Sequence, residues 1–311
     1  MKAKIIDLNK TEKGTKELPV QFNEQIRDDL IQRAVLALQS EARQPYGTKP
    51  RAGLRYVTEI SRRRRDYKAS YGHGISRVPR KILSRNGTQI NWVGAKMPGT
   101  VGGRVAHPPK ANRIWSQKIN IVEKRKAVRS AMAATMMPAM VTLRGHRIPK
   151  EFPFLLDTKI ESLSKTSDVE KTLAKLGFAE ELKRTAKRKI RAGKGKNRGR
   201  KYQNKVGPLF VVSKECPLIK AAKNIPGIDV AIVQNINAEL LAPGCHPGRL
   251  TLWSEAAVDT LATQKLFTED YQGQTQLKEK MKSVATVELK KPSVKKENKK
   301  PTVKKETKKS A

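Results

Sequence analysis

Between Gln44 and Lys118 the chain offers neither helical nor strand periodicity over any sustained stretch, and this gap decides what the rest of the molecule can be. It runs through Gln44-Pro45-Tyr46-Gly47, Lys49-Pro50-Arg51-Ala52-Gly53, Tyr71-Gly72-His73-Gly74, Pro98-Gly99-Thr100-Val101-Gly102-Gly103-Arg104 and His107-Pro108-Pro109-Lys110. Gly and Pro in such dipeptides interrupt both helix and strand. At roughly 70 residues the stretch far exceeds an ordinary connection within a compact domain. Eighteen Lys or Arg fall between Arg43 and Lys118 against two acids, Glu59 and Asp66. A basic stripe of this kind is the electrostatic footprint of a surface that meets a polyanion.

The stretch is not a plain linker. Tyr46, Tyr56, Tyr67, Tyr71, Trp92 and Trp115 lie within it, and solvated linkers seldom carry so many aromatics. Arginine planes and aromatic rings stack on unpaired bases, and the arginine fork fits phosphate. The reading is an extended arm that orders on RNA; a disordered, solvated loop is the bland alternative. In its middle, Lys81-Ile82-Leu83-Ser84-Arg85 and Thr88-Gln89-Ile90-Asn91-Trp92-Val93 flank Asn86-Gly87. Asn-Gly between apolar runs predicts a hairpin turn with both residues at positive φ.

Two further basic segments differ in kind. Lys183 to Lys205 holds twelve bases and no acid. It should begin helical and break at Gly193, Gly195 and Gly199. A charge run without acids lacks the intrahelical pairs of a solvated face, which favours phosphate contact. From Lys278 onward there are thirteen lysines and four glutamates, arranged as Lys290-Lys291-Pro292-Ser293-Val294-Lys295-Lys296-Glu297-Asn298 followed by a near copy from Lys299 to Thr307. Such a segment cannot bury a core and is expected to be disordered.

Over all 311 residues, 66 Lys plus Arg against 28 Asp plus Glu give a net charge of +38. A chain this basic repels itself until a polyanion neutralises it. No apolar run reaches the length of about 18 residues that spans a bilayer, and the N-terminus lacks the apolar core of a signal peptide. Cys216 and Cys245 are the only cysteines, which suits a reducing, cytoplasmic setting.

The remainder reads as a folded α/β unit. Lys4–Leu8 is an expected strand. Asn23 is a candidate cap for a helix carrying Ile26, Leu30, Ala34 and Leu38 at four-residue spacing. A second helix is expected over 123–137, and Ser167-Asp168-Val169-Glu170 has the pattern of a capping box for a helix to about Leu176. Leu209–Ser213, Val230–Val233 and Leu250–Trp253 read as strands, alternating with helices over 218–224 and 255–266. That alternation predicts a three-layer α/β/α body with a small, mainly parallel sheet. The expected division is 1–44 with 119–270 as the body, 45–118 as the inserted arm and 271–311 as the tail.

No catalytic constellation emerges. There is no G-x-G-x-x-G after a strand and no G-x-x-x-x-G-K-[ST]. Cys245-His246 is the one Cys/His pair, and Cys216, His73, His107 and His146 complete no zinc spacing. Asp28-Asp29 and Glu180-Glu181 read as solvated helix faces. His73 and His107, in Arg/Gly-rich context, are expected to stack on or hydrogen-bond to RNA. No enzymatic activity, metal or cofactor is expected, although Mg2+ or K+ could be held by bound RNA.

Several motifs together are recognisable: Tyr71-Gly72-His73-Gly74 with Val78-Pro79-Arg80; Gly103-Arg104-Val105-Ala106-His107-Pro108-Pro109-Lys110; Ala127-Val128-Arg129-Ser130-Ala131-Met132-Ala133-Ala134-Thr135; Arg191 through Tyr202; and Leu241-Ala242-Pro243-Gly244 with Gly248-Arg249-Leu250-Thr251-Leu252-Trp253. In order and spacing the chain resembles large-subunit ribosomal protein four in its archaeal and eukaryotic form, nearly throughout to about Phe267. The short, simple C-terminal extension favours the archaeal form. The resemblance implies an α/β body on the outer face of the large subunit and a loop threaded through large-subunit rRNA to the wall of the polypeptide exit tunnel. It implies one copy per cytoplasmic ribosome, with neighbouring large-subunit proteins as partners. Ribosomal protein twenty-two at the tunnel constriction is among them, with transient contact to the nascent chain and none to a membrane.

Carried onto this sequence, the rRNA contacts would be Arg51, Arg55, Arg62, Arg63, Arg64, Arg65, Tyr71, His73, Arg77, Arg80, Arg104, His107 and Lys110 on the arm. On the body they would be Lys194, Lys196, Arg198, Arg200, Lys201 and Tyr202. The tunnel-facing tip would include Lys81, Arg85, Asn86, Gly87, Trp92 and Lys96. The tip departs from the family pattern in being longer and more apolar, with Ile90, Trp92 and Val93, and the lysine repeat lies outside that pattern. A chromatin-like, DNA-compacting protein is the alternative, since the tail alone would suit it. The Arg/Gly arm with aromatics favours RNA, because duplex compaction needs only distributed lysines.

Overall fold

A computed structural model describes residues 1–269; the lysine repeat lies outside the described residues. In chain order the strands and helices are β1 (Lys2–Ile6), β2 (Glu12–Glu17), α1 (Asp28–Glu41), β3 (Arg80–Asn86), β4 (Gln89–Gly94), α2 (Ile121–Thr135), α3 (Pro138–Leu143), β5 (Phe154–Leu156) and α4 (Thr166–Leu173). Then follow α5 (Ala179–Ala186), β6 (Lys189–Ile190), β7 (Tyr202–Gln203), β8 (Leu209–Val212), α6 (Pro217–Lys223), β9 (Asp229–Ile232), α7 (Ala238–Leu241), β10 (Thr251–Ser254) and α8 (Glu255–Thr263).

A six-stranded sheet runs in the order β2-β1-β5-β10-β8-β9. Every neighbouring pair is parallel except β1 with β2. Because side chains alternate across a strand, each central strand feeds two cores. Ile5, Leu155, Leu209, Val211 and Trp253 pack with α1, α2, α7 and α8 through Ile31, Val35, Ala131, Met132, Leu241 and Val258. Ile6, Phe154, Leu156, Phe210, Val212 and Leu252 face the other way, onto α4 and α6 through Val169, Leu173, Leu218 and Ala222. The expected α/β/α layering and mainly parallel sheet are therefore present. Burying both faces explains why β8 reads as an unbroken apolar run.

Two strands of the six-stranded sheet escaped the sequence reading. β2 is Glu12-Lys13-Gly14-Thr15-Lys16-Glu17, almost wholly exposed; charge on an edge strand blocks further pairing and also hides the strand from a hydrophobic pattern. β5 is three residues long, below the length at which periodicity can be read.

Two caps also differ from expectation. The first helix begins at Asp28, and Asn23 instead closes a short turn over Val20–Asn23. The Arg27 N–H that opens α1 donates to Ser130 Oγ of α2 at 2.7 Å, so the cap is supplied across the helix pair. Glu24, which also lies ahead of the helix, accepts from Arg129 Nε at 2.8 Å. The capping box at Ser167 does not form: α4 starts at Thr166 without a side-chain cap. After α4 the chain widens into a π-type turn over Ala174–Phe178, in which Gly177 has φ 94°.

Candidate nucleic-acid interface

None of the strands between α1 and α2 joins the six-stranded sheet. The arm leaves the body beside the end of α1 and returns beside it: Gln117 N–H donates to Ser40 Oγ at 3.0 Å. At this root Tyr46 stacks on Trp115, with centroids 5.6 Å apart and planes at 23°. The guanidinium carbons of Arg43 and Arg113 lie 4.0 and 4.4 Å from the Trp115 ring centroid. Beyond the root, the outgoing and returning chains run side by side. Thr48 N–H donates to Pro109 O at 3.1 Å. Gly53 has φ +74°, and a Cβ there would stand 2.5 Å from Arg104 N and 2.6 Å from Gly103 C. Only glycine permits both that backbone conformation and that approach.

The tip is the two-stranded hairpin β3–β4, as the apolar flanks predicted. The turn is shifted by one residue. Asn86 pairs with Gln89, which leaves Gly87-Thr88 as the loop, and of these only Gly87 takes positive φ. Glycine first with a negative-φ residue second is the II′ pattern, not the I′ pattern of an Asn-Gly pair. The register slips between Ile82 and Ser84, so Leu83 bulges and is 58% exposed.

The arm's cations divide into two groups. Arg51, Arg55, Arg62, Arg63, Arg64, Arg65, His73, Arg77, His107 and Lys110 are exposed, and Arg104 is half-buried. Among the described residues the two local acids are already engaged, Glu59 by Lys68 and Asp66 by the Ser61 hydroxyl at 2.5 Å. That hydroxyl is the main reason the Asp66 carboxyl sits below its usual range. Apart from Arg63, whose charge also acts on Asp66, the arm's arginines have no carboxylate partner among the described residues. Arg80 belongs to the second group: it is 7% exposed and donates to the carbonyls of Ser76 and Val78. Several rings also carry cations from the chain itself. Arg77 lies 4.3 Å from the half-buried Tyr71 ring, Lys81 3.9 Å from Tyr56 and Arg80 5.3 Å from the half-buried Trp92. Arg85, Asn86 and Gly87 are exposed at the turn, and Lys96 is half-buried at φ 62°.

The second basic segment is helical only to Ala186. It then forms the small hairpin β6–β7, whose loop carries a single 3-10 turn, Lys194–Arg198. Lys194, Lys196, Arg198, Arg200, Lys201 and Tyr202 are all exposed. Arg191 N–H donates to Lys201 O at 2.8 Å and closes the loop.

A buried polar cluster fixes the root of this hairpin, and sequence reasoning missed it. Of the pair read as solvated, Glu180 is exposed but Glu181 has 0% exposure. Glu181 accepts from Arg184 Nε at 2.8 Å, Arg184 Nη2 at 2.6 Å, Arg147 N–H at 3.0 Å and His146 Nδ1 at 2.7 Å. His146 Nδ1 must carry its proton to face a carboxylate, so the 3.3 Å approach of Arg184 to that nitrogen is a packing contact. Burial pushes the Glu181 carboxyl up, but the bonds from Arg184, His146 and Arg147 outweigh it and hold it at about 2. Burial lowers His146 more than Glu181 raises it. Arg184 also donates to Val206 O at 2.6 Å, and so ties α5 to the strand leaving the hairpin. The i,i+3 spacing of Glu181 and Arg184 was the available signal, but it does not reveal burial.

Arg249 plays a similar part nearby. It is 1% exposed and donates to Gly207 O at 3.0 Å, Leu240 O at 2.9 Å and the Asp229 carboxylate. The sequence pattern of the ribosomal protein L4/L1 family matches residues 16–264, which include the arm, the basic hairpin and this buried arginine. The chain belongs to that family. Large ribosomal subunit protein uL4 of Nanoarchaeum equitans is 49% identical over 268 residues, covering 86% of this chain and all (100%) of the relative. The protein of the same name from Archaeoglobus fulgidus is 45% identical over 262 residues, 84% of this chain and 98% of its own. That from Halobacterium salinarum is 42% identical over 265 residues, 84% and 99% respectively. The L4/L1 resemblance drawn from the motifs thus extends across the folded residues.

Proposed function

We propose that the chain is a structural constituent of the large ribosomal subunit, in the cytoplasm. It binds large-subunit rRNA, supports its folding and assembly, and extends its arm to line the polypeptide exit tunnel. The observation that carries this reading is the arm itself: exposed arginines of which, among the described residues, only Arg63 acts on a nearby carboxylate, on paired extended chains that lie outside the sheet. Extended cationic backbone of this kind gains its order from the polyanion it neutralises. In this proposal Arg51, Arg55, Arg62 to Arg65, Tyr71, His73, Arg77, Arg104, His107 and Lys110 contact rRNA along the stem, and Arg80 braces it from within. Lys194, Lys196, Arg198, Arg200, Lys201 and Tyr202 make the second contact on the body. Lys81, Arg85, Asn86, Gly87, Trp92 and Lys96 form the tip, opposite ribosomal protein twenty-two and the passing nascent chain. Bound Mg2+ or K+ would belong to the RNA.

The test is sedimentation of the full chain with large ribosomal subunits through a high-salt cushion. An isolated nonspecific complex with about ten phosphate contacts weakens by about nine log units per log unit of salt, whereas a threaded arm stays with the particle. Release at modest salt, with equal affinity for any duplex DNA, refutes the reading and favours a DNA-compacting protein.

A further inference from the structure

The body carries a cleft that the arm and the hairpin loop leave unused. It opens between the end of α3, the roots of β6 and β7, and the turn at His246-Pro247, and encloses about 730 Å3. That lies within the range of small-molecule sites and is too small for a duplex. Part of the lining is apolar: Leu143, 82% exposed, Val206, 39% exposed, and Pro247. The same lining is cationic, with Arg144, Arg184, Lys189 and Lys205. Glu181 neutralises Arg184 from behind. Arg144, Lys189 and Lys205 have no carboxylate partner among the described residues, and the one acid on the lining is Asp28.

Arg144 is the least expected of these groups. It is half-buried and held in place by carbonyls alone, those of His246 and Pro243. Burial, then the neighbouring charges of Arg249 and Arg184, push its guanidinium down to about 10. Arg184 and Arg249 have Glu181 and Asp229 as counter-ions, whereas Arg144, fixed by carbonyls, has none among the described residues, which leaves its charge open to an anion. The side-chain amides of Gln203 and Asn204 add paired donors and acceptors at the rim, the groups that read a base edge.

We propose that this cleft takes one unpaired RNA nucleotide. Its phosphate lies against Arg144, Lys189 and Lys205, its base against Leu143, Val206 and Pro247, and its edge towards Gln203 and Asn204. The inference rests on the RNA-binding reading above and adds a different kind of contact to it. Lys189 and Gln203 stand at the root of the basic hairpin as well as in the cleft. A strand running down the hairpin's cations would therefore deliver a nucleotide into it. That continuity, with the apolar lining and the amides, favours RNA over an acidic peptide.

The experiment photocrosslinks a thiouridine-labelled single-stranded RNA to the full chain and maps the modified peptides. Crosslinks are expected within 140–147, 203–206 or 246–247. The double variant Lys189→Glu with Lys205→Glu, both exposed residues, should lower their yield roughly tenfold while arm crosslinks persist. Leu143→Ser should lower them without any change in charge. Arm crosslinks without cleft crosslinks overturn the inference and leave the proposed function standing; absence of both counts against the proposed function itself. Cleft crosslinks indifferent to both variants also overturn it. So does displacement by poly-glutamate but not by unlabelled RNA, which would mark a peptide site. Displacement by inorganic phosphate as complete as that by RNA would mark a phosphate site with no base pocket, and refute it too.

Discussion

Replacing Glu181 by Gln should cost the body about 3 kcal/mol. The carboxylate is fully buried and accepts four hydrogen bonds, two from Arg184 and one each from His146 and Arg147. A glutamine keeps one acceptor oxygen and turns an NH2 group towards donors it cannot accept from. Arg184 is then left as a charge without its acid, the situation that makes broken buried pairs expensive. The same bonds set the carboxyl's pKa, and with it a magnitude. Held at about 2 against an ordinary 4.5, it stabilises the folded state by roughly 3 kcal/mol at neutral pH. The sign follows from which state binds protons more readily. The unfolded chain takes up the proton first, so this contribution is complete above pH 4.5 and is lost as pH falls towards 2. His146, with its pKa lowered, acts in the same direction below its ordinary 6.5. For a body of this size a loss of 3 kcal/mol lowers the melting temperature by about 6–12 °C. Urea unfolding of wild type and E181Q at pH 7 and at steps down to pH 3 tests this. The gap between the two proteins should narrow as pH falls below 4.5. A gap under about 1 kcal/mol at pH 7, or one that does not narrow, refutes the account.

Deleting Lys81 to Lys96 removes most of the tip hairpin, which lies outside the sheet. The body's unfolding transition should stay where it is and the protein should still enter subunits, while passage of nascent chains through the tunnel changes; a lost body transition would contradict the inserted arrangement. Gly53→Ala forces a side chain into positive φ and into the returning chain. It should cost the stem about 1–2 kcal/mol or more, seen as faster proteolysis of the arm with an unchanged body transition. Arg249→Met leaves the carbonyls of Gly207 and Leu240 without their donor and should lower body stability by about 3 kcal/mol in urea unfolding.

The parts of this molecule that depend on local pattern could be read in advance. β8 announces itself as Leu209-Phe210-Val211-Val212, and α1 by its apolar spacing. The arm is legible because an absence of periodicity over so many residues, combined with arginine, has few readings. What could not be read was supplied across the chain. Ser130 caps α1 from another helix, so Asn23 looked like the cap and was not. Glu180 and Glu181 are neighbours of one type with opposite fates, decided by where α5 rests against the loop at His146. The cleft draws its lining from α3, β6, the segment after β7 and the turn at His246, which no local window contains. The turn at Gly87 shows the reverse limit: a strong dipeptide signal found the hairpin and misplaced its loop by one residue.

The packing of α1 against α2, with Arg27 capped by Ser130 across the pair, has a consequence for how the arm can change. The helices meet although residues 42–120 separate them in the chain. For a flexible insert of that length, doubling it would raise the closure cost by only about 0.6 kcal/mol. The body is thus nearly indifferent to how far its insertion reaches. The fold itself therefore sets no limit on the arm, which is free to grow or shrink by whole segments while the two helices at its base keep the same seam.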